Sequence, residues 1–141
     1  YWEFSVLEGE TDPVRRGLAM LNEQNQWWVP NRGLFRLPLV RQIGGVKHHG
    51  AGEYSCDWPW LFHMSLLGRL VRVPEILCFK HYKPGSLSRS WRATQAQQLE
   101  VYAACLRELW NSSLSTQQKL LIAHPLTNYL QQFSGELVSP A

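Results

Sequence analysis

Residues 53–75 read EYSCDWPWLFHMSLLGRLVRVPE, and the fold turns on how this stretch is read. From Asp57 to Leu67 apolar side chains fall on nearly every face of a helical wheel. A helix of that kind is buried almost all round. Pro59 sits where a first turn tolerates it, and Gly68 supplies the stop. Asp57 opens the helix, where unpaired backbone N–H groups and the positive end of the dipole favour a carboxylate. As an N-cap Asp57 is worth about 1 kcal/mol. A carboxylate fixed there, beside a Gly-rich loop, can also accept a proton from a hydroxyl in a cleft.

Outward from this helix the chain alternates elements. On the N-terminal side, TDPVRRGLAMLNEQN predicts a helix from Asp12 to about Asn25, with Thr11 as its cap and Val14, Leu18 and Leu21 at helical spacing. After WWVPN, residues Gly33 to Arg36 read as a short strand, and Pro38 opens a short helix closed by Gly44-Gly45. VKHHGAGEYS reads as a loop.

On the C-terminal side, RLVRVPEILCFKHYK has strand chemistry, interrupted by Pro74, and PGSLSRS reads as a turn. Ser90 is the expected cap of a long helix carrying Leu99, Tyr102, Leu106, Leu109 and Trp110. Ser115 and Gln118 have capping-box spacing for another, which Pro125 should kink or divide, with fraying after Phe133. The fold class expected is α/β, a mixed α+β piece with a helical C-terminal end and too few strands for a complete doubly wound sheet.

The chain of 141 residues is long enough for one domain with a real core. Its seven tryptophans indicate a deep core or a cleft lined for a ring-shaped ligand. A net charge of +3 arises from scattered Lys and Arg, which argues against nucleic acid as a partner. Three cysteines, Cys56, Cys78 and Cys105, lack metal-ligand spacing and read as buried thiols of a reducing compartment, the cytoplasm or the inner face of its membrane. No apolar run reaches the roughly 20 residues that cross a bilayer. The start at Tyr1, with neither an initiator Met nor a leader pattern, is expected of a fragment of something larger.

Several side chains carry chemistry. His48, His49 and Glu53 cluster in the loop before the buried helix, either to bind a metal or orient an acceptor, or as a solvated loop; their spacing matches no standard zinc pattern. His63 lies on an apolar helix and reads as a satisfied core histidine. His81 and Lys83 precede Pro84-Gly85-Ser86, where a cation meets a phosphate or where a strand simply turns. Neither a nucleophile elbow, nor a P-loop, nor G-x-G-x-x-G is present.

Taken in order, NRGLFRLPLVRQIGG, the Gly-rich loop, SCDWPWLFHMSLLGRLVRVPEIL and FKHYKPGSLSR resemble the C-terminal half of the catalytic domain of family 2 glycosyltransferases, inverting enzymes of the GT-A fold. The resemblance covers roughly residues 31–90. It implies a partial GT-A-like domain without its nucleotide-binding half, with residues 1–90 as the acceptor-side part and residues 91–141 as a helical extension packed on it.

It further implies that Asp57 is the general base that deprotonates an acceptor hydroxyl, which attacks the anomeric carbon of a nucleotide-bound sugar. Trp58, Trp60, His49 and Glu53 would contact the acceptor, a glycan or another hydroxyl compound, and His81, Lys83 and Ser86 would lie near the diphosphate or its metal. A divalent cation, Mg or Mn, is implied for the whole enzyme, with ligands mostly outside this chain. Three departures stand out: Cys56 replaces the acidic partner of the base, Pro59 replaces a second acidic residue, and Lys83 replaces a turn histidine. There is also no Asp-x-Asp, since the only other aspartate is Asp12. The fragment alone is expected to be inactive. A glycan- or protein-binding module without catalysis is the alternative.

Overall fold

A computed structural model describes residues 4–22, 26–77, 79, 81, 83 and 92–138, with side chains through Gln131. Five α-helices carry it: α1 (Pro13–Leu21), α2 (Leu37–Ile43), α3 (Asp57–Leu67), α4 (Gln95–Asn111) and α5 (Thr116–Val138). A 3-10 turn at Pro30–Arg32 links α1 to α2.

The helix α3 spans the residues that its sequence predicts, and eight of its eleven side chains are buried, including Trp58, Leu61, Phe62 and Leu66. It is therefore the centre around which the other elements gather. α1 packs on it on one side and α4 on the other, and α5 closes over α1 and α4. One hydrophobic cluster runs from Leu7 through Met20, Phe62 and Tyr102 to Leu126, so the parts before and after residue 90 share a core.

Two contacts fix α1 against α3. Gly17 lies so close to the facing helices that a Cβ there would sit 2.8 Å from Leu66 Cδ2 and 3.1 Å from Ile122 Cδ1. Beside it, Arg16 is 4 % exposed. Its Nε donates to the Ser65 carbonyl at 2.6 Å, and a terminal nitrogen donates to the Thr11 carbonyl at 2.7 Å. The guanidinium thus satisfies a carbonyl at the C-terminal end of α3, where a positive charge is favoured. Burial lowers the Arg16 pKa, opposed by the charges of Asp12 and Glu10.

The expected mixed α/β fold is not what the chain adopts. Among the described residues the structure is helical and holds no sheet, so the partial GT-A-like architecture is corrected to a helical one. The only β pairing among them is a bridge between His49 and Gly52. Residues 33–36 do not form a strand; Gly33 N–H instead closes the 3-10 turn on the Pro30 carbonyl at 2.8 Å. The segment from Leu70 to Leu77, with Phe79, His81 and Lys83, carries strand chemistry but no ladder among the described residues. Strand chemistry without a partner strand leaves the backbone to water rather than to a sheet. Val71, Val73, Ile76, Leu77 and Phe79 are accordingly 56 to 82 % exposed.

Helix boundaries differ from expectation for reasons visible in the caps. α1 is capped by Asp12, whose side chain accepts the Val14 N–H at 2.8 Å, rather than by Thr11. It buries Arg16, Gly17, Met20 and Leu21, while Leu18 faces out. α4 begins after Thr94, which forms a capping box with Gln97 and displaces Ser90 as the expected cap. Ser90 lies outside the described residues. The Ser115–Gln118 capping box forms as its spacing predicts. α5 is not divided at Pro125, because Ile122, Ala123 and Leu126 around it are buried in the core and their packing offsets the hydrogen bond that proline cannot make. Among the described residues no helix is long and apolar enough to cross a membrane.

Replacing Arg16 by Met keeps the stem and removes the donors to Thr11 and Ser65. Urea denaturation of the Arg16→Met chain should show a loss of about 2–3 kcal/mol with an unchanged m value.

Candidate functional site

The loop between α2 and α3 determines what surrounds the start of α3. Gly44 ends α2 at φ +80°, a backbone conformation that suits glycine. The Trp60 indole then donates to the Gly44 carbonyl at 2.9 Å, which ties the loop's beginning to α3. At the loop's end Ser55 takes φ +47°, uncommon for a residue with a Cβ, and the Trp58 N–H reaches back to its carbonyl. Asp57 is the first residue of α3 and not its cap: Cys56 holds the cap position, and no side chain caps the helix.

Asp57 stands in the first turn of α3, half-buried. Asn31, from the 3-10 turn, donates its Nδ2–H to Asp57 Oδ2 at 2.8 Å. Burial pushes the Asp57 carboxyl above the usual range; the backbone N–H groups of Asp57 and Trp58 and the charge of Arg32 work the other way without cancelling it. The result is a carboxylate that is a stronger base than an exposed aspartate.

Two cavities flank this turn. The first, about 150 Å³, is aromatic: Trp27, Tyr54, Trp58 and Tyr102 line it with Ser55 and Gln98. Trp27 lies parallel on Trp58, with centroids 4.8 Å apart and planes at 6°. Trp58 meets Tyr102 edge-on at 5.6 Å, and its indole N–H is fixed by the Met20 carbonyl at 2.7 Å. The second, about 180 Å³, is polar: Lys47, His48 and His49 from the loop face Arg107, Glu108 and Asn111 of α4 across Trp60 and Cys56. Asp57 itself lines neither, although Cys56 belongs to one and Ser55 and Trp58 to the other.

The remaining sequence candidates separate. Trp58 is in the aromatic cavity, and Trp60 and His49 are in the polar one. Glu53 is exposed and lines neither. His81 and Lys83 are exposed, and Ser86 lies outside the described residues. No three His, Cys, Asp or Glu side chains among the described residues converge to hold a metal ion. Cys56 and Cys105 are free thiols, and burial pushes both upward in pKa, with Glu108 adding to the effect at Cys105. Cys78 lies outside the described residues.

A charge network centred on the buried Glu108, unanticipated in its extent, supports the polar cavity. His63 is indeed a satisfied core histidine: its Nδ1 lies 2.6 Å from Glu108 Oε2. Lys47 Nζ donates to Glu108 Oε1 at 2.8 Å. Burial alone would push the Glu108 carboxyl up, but the hydrogen bonds from His63 and Lys47 and the Lys47 charge outweigh it and hold it below the usual range. Sequence reading missed Asn31, Lys47, Arg107 and Glu108. The signal that exposes Glu108 is a lone acid between Cys105 and Leu109 on the apolar face of α4, paired with a lone histidine on apolar α3.

Because the folded carboxyl is depressed, its contribution to stability is fully present above the ordinary glutamate pKa and is lost as pH falls through the folded value. Glu108→Gln should cost about 1.5–3 kcal/mol near neutral pH. Denaturation midpoints of variant and parent should converge as the pH drops below the glutamate range.

No protein-family model matches the chain, and neither a curated protein nor a solved structure is significantly similar to it.

Proposed function

We propose that this chain is the acceptor-side part of an inverting sugar transferase, with Asp57 as general base. The acceptor hydroxyl gives its proton to the Asp57 carboxylate as its oxygen bonds to the anomeric carbon of the donor sugar. The bond from that carbon to the nucleotide diphosphate breaks, and the diphosphate leaves with the electron pair. The observation that carries the reading is the Asn31–Asp57 hydrogen bond, which joins the two segments, NRGLFR and CDWPW, on which the family resemblance rests. The raised basicity of the carboxyl supports the same role. Beside it lies the aromatic cavity lined by Trp27, Tyr54, Trp58 and Tyr102, with the Trp58 face covered by Trp27.

The chain has no Asp-x-Asp, and the divalent cation that the resemblance implies finds no ligand set among the described residues. A non-catalytic glycan-binding module has one observation in its favour, that Asp57 lines neither cavity.

The test is Asp57→Asn in the intact protein with a nucleotide-sugar donor and hydroxyl acceptor. We expect kcat to fall by about 100-fold or more while the donor KM stays within about twofold. The acid limb of the parent kcat profile should lie above that of an ordinary aspartate. An Asp57→Asn variant that transfers sugar at the parent rate would rule out the role. Retained glycan binding in that variant would then leave the binding module as the reading.

A further inference from the structure

We infer that the surface formed by residues 34–41 and 69–83 rests on an anionic lipid bilayer, its apolar side chains in the headgroup layer and its cations among the lipid phosphates. The positive charge is segregated along the chain. Residues 24–46 hold three arginines and no acid, and residues 69–83 hold four cations and one acid, Glu75. These two stretches carry seven of the 14 Lys and Arg but one of the 11 Asp and Glu, so the remainder of the chain is net acidic.

The fold sets the two stretches side by side. A Cβ at Gly68, where α3 ends, would lie 3.2 Å from Leu39 Cδ1 of α2, so the second stretch leaves the helix against the first. Arg36, Arg41, Arg69 and Lys83 are exposed, and no salt bridge among the described residues engages them. Glu10 and Asp12, the acids at the neighbouring start of α1, are already met by Arg15 at 3.7 and 4.0 Å. Such a surface draws an anionic one towards it.

A separate observation selects lipid over a soluble polyanion. Leu34, Leu37, Val71, Ile76, Leu77 and Phe79 are each more than half exposed. A nucleic acid would leave these side chains in water, whereas a bilayer interface takes them while its phosphates meet the cations. None of them lines either cavity, and the open face that they form suits a broad surface and not a small ligand. Only side chains need to reach the acyl boundary; the backbone of residues 70–77, which forms no ladder, stays in headgroup water.

The experiment floats the chain on a density gradient with vesicles of phosphatidylcholine alone, or of equal parts phosphatidylcholine and phosphatidylglycerol, at low and at high salt. Flotation separates bound chain from chain that adheres to itself and stays at the bottom. The chain should rise with the anionic vesicles at low salt, far less with the neutral ones, and be released by high salt. Arg36→Gln and Lys83→Gln should each weaken binding about fivefold. Leu77→Ser combined with Phe79→Ser should weaken it about tenfold or more, and Lys119→Gln on α5, outside both stretches, should leave it unchanged. Thermal melts by circular dichroism verify that the variants fold. Asp57→Asn should bind vesicles as the parent does, so lipid binding stands or falls apart from the role of that carboxylate. Equal binding to both kinds of vesicle, or undiminished binding in the folded variants, would overturn the inference. Absence of binding to the anionic vesicles would overturn it too, and would leave a protein as the partner of the apolar row.

Discussion

The molecule depends on one constraint: α3 has almost no polar face, so it is stable only where other elements cover it on every side. α1 and α4 take opposite flanks, and the buried Arg16 guanidinium meets the carbonyls that the end of α3 leaves over. Gly17 lets α1 approach without a side chain in the way. At the helix start there is no side-chain cap, the Asp57 carboxylate is held by Asn31 from another element, and a cavity lies on either side.

What the sequence made legible followed from local rules. The bounds of α3, the short helix closed by Gly44 and the Ser115–Gln118 capping box were all readable, because each is decided within a few residues. The strands were misread because strand chemistry is a property of side chains, whereas a strand exists only when another backbone pairs with it. Among the described residues, 33–36 and 70–77 find no such partner. The Thr11 and Ser90 caps were displaced by Asp12 and Thr94, neighbours with the same capping chemistry, a choice that spacing does not decide.

The candidate site was legible in part. Asp57, Trp58, Trp60 and His49 gather around the start of α3, but in two cavities and not one, with Asp57 between them. Which aromatic faces which cavity depends on helix rotation and on indole hydrogen bonds to Met20 and Gly44, and these are tertiary facts. Lys47 and Glu108 are 61 residues apart, so their pairing cannot be read from spacing. The network that they form with His63 gives the polar cavity its rigid wall.

The uncovered side chains of Val71, Val73, Ile76, Leu77 and Phe79 have a consequence for how the chain behaves in a tube. Molecules that present such a row, with a net charge of only +3 to hold them apart, adhere to one another well before they unfold. Apolar adhesion weakens on cooling and strengthens with sulfate. Cold, sulfate-free buffer at low concentration is therefore the condition that weakens contact between such side chains on separate molecules.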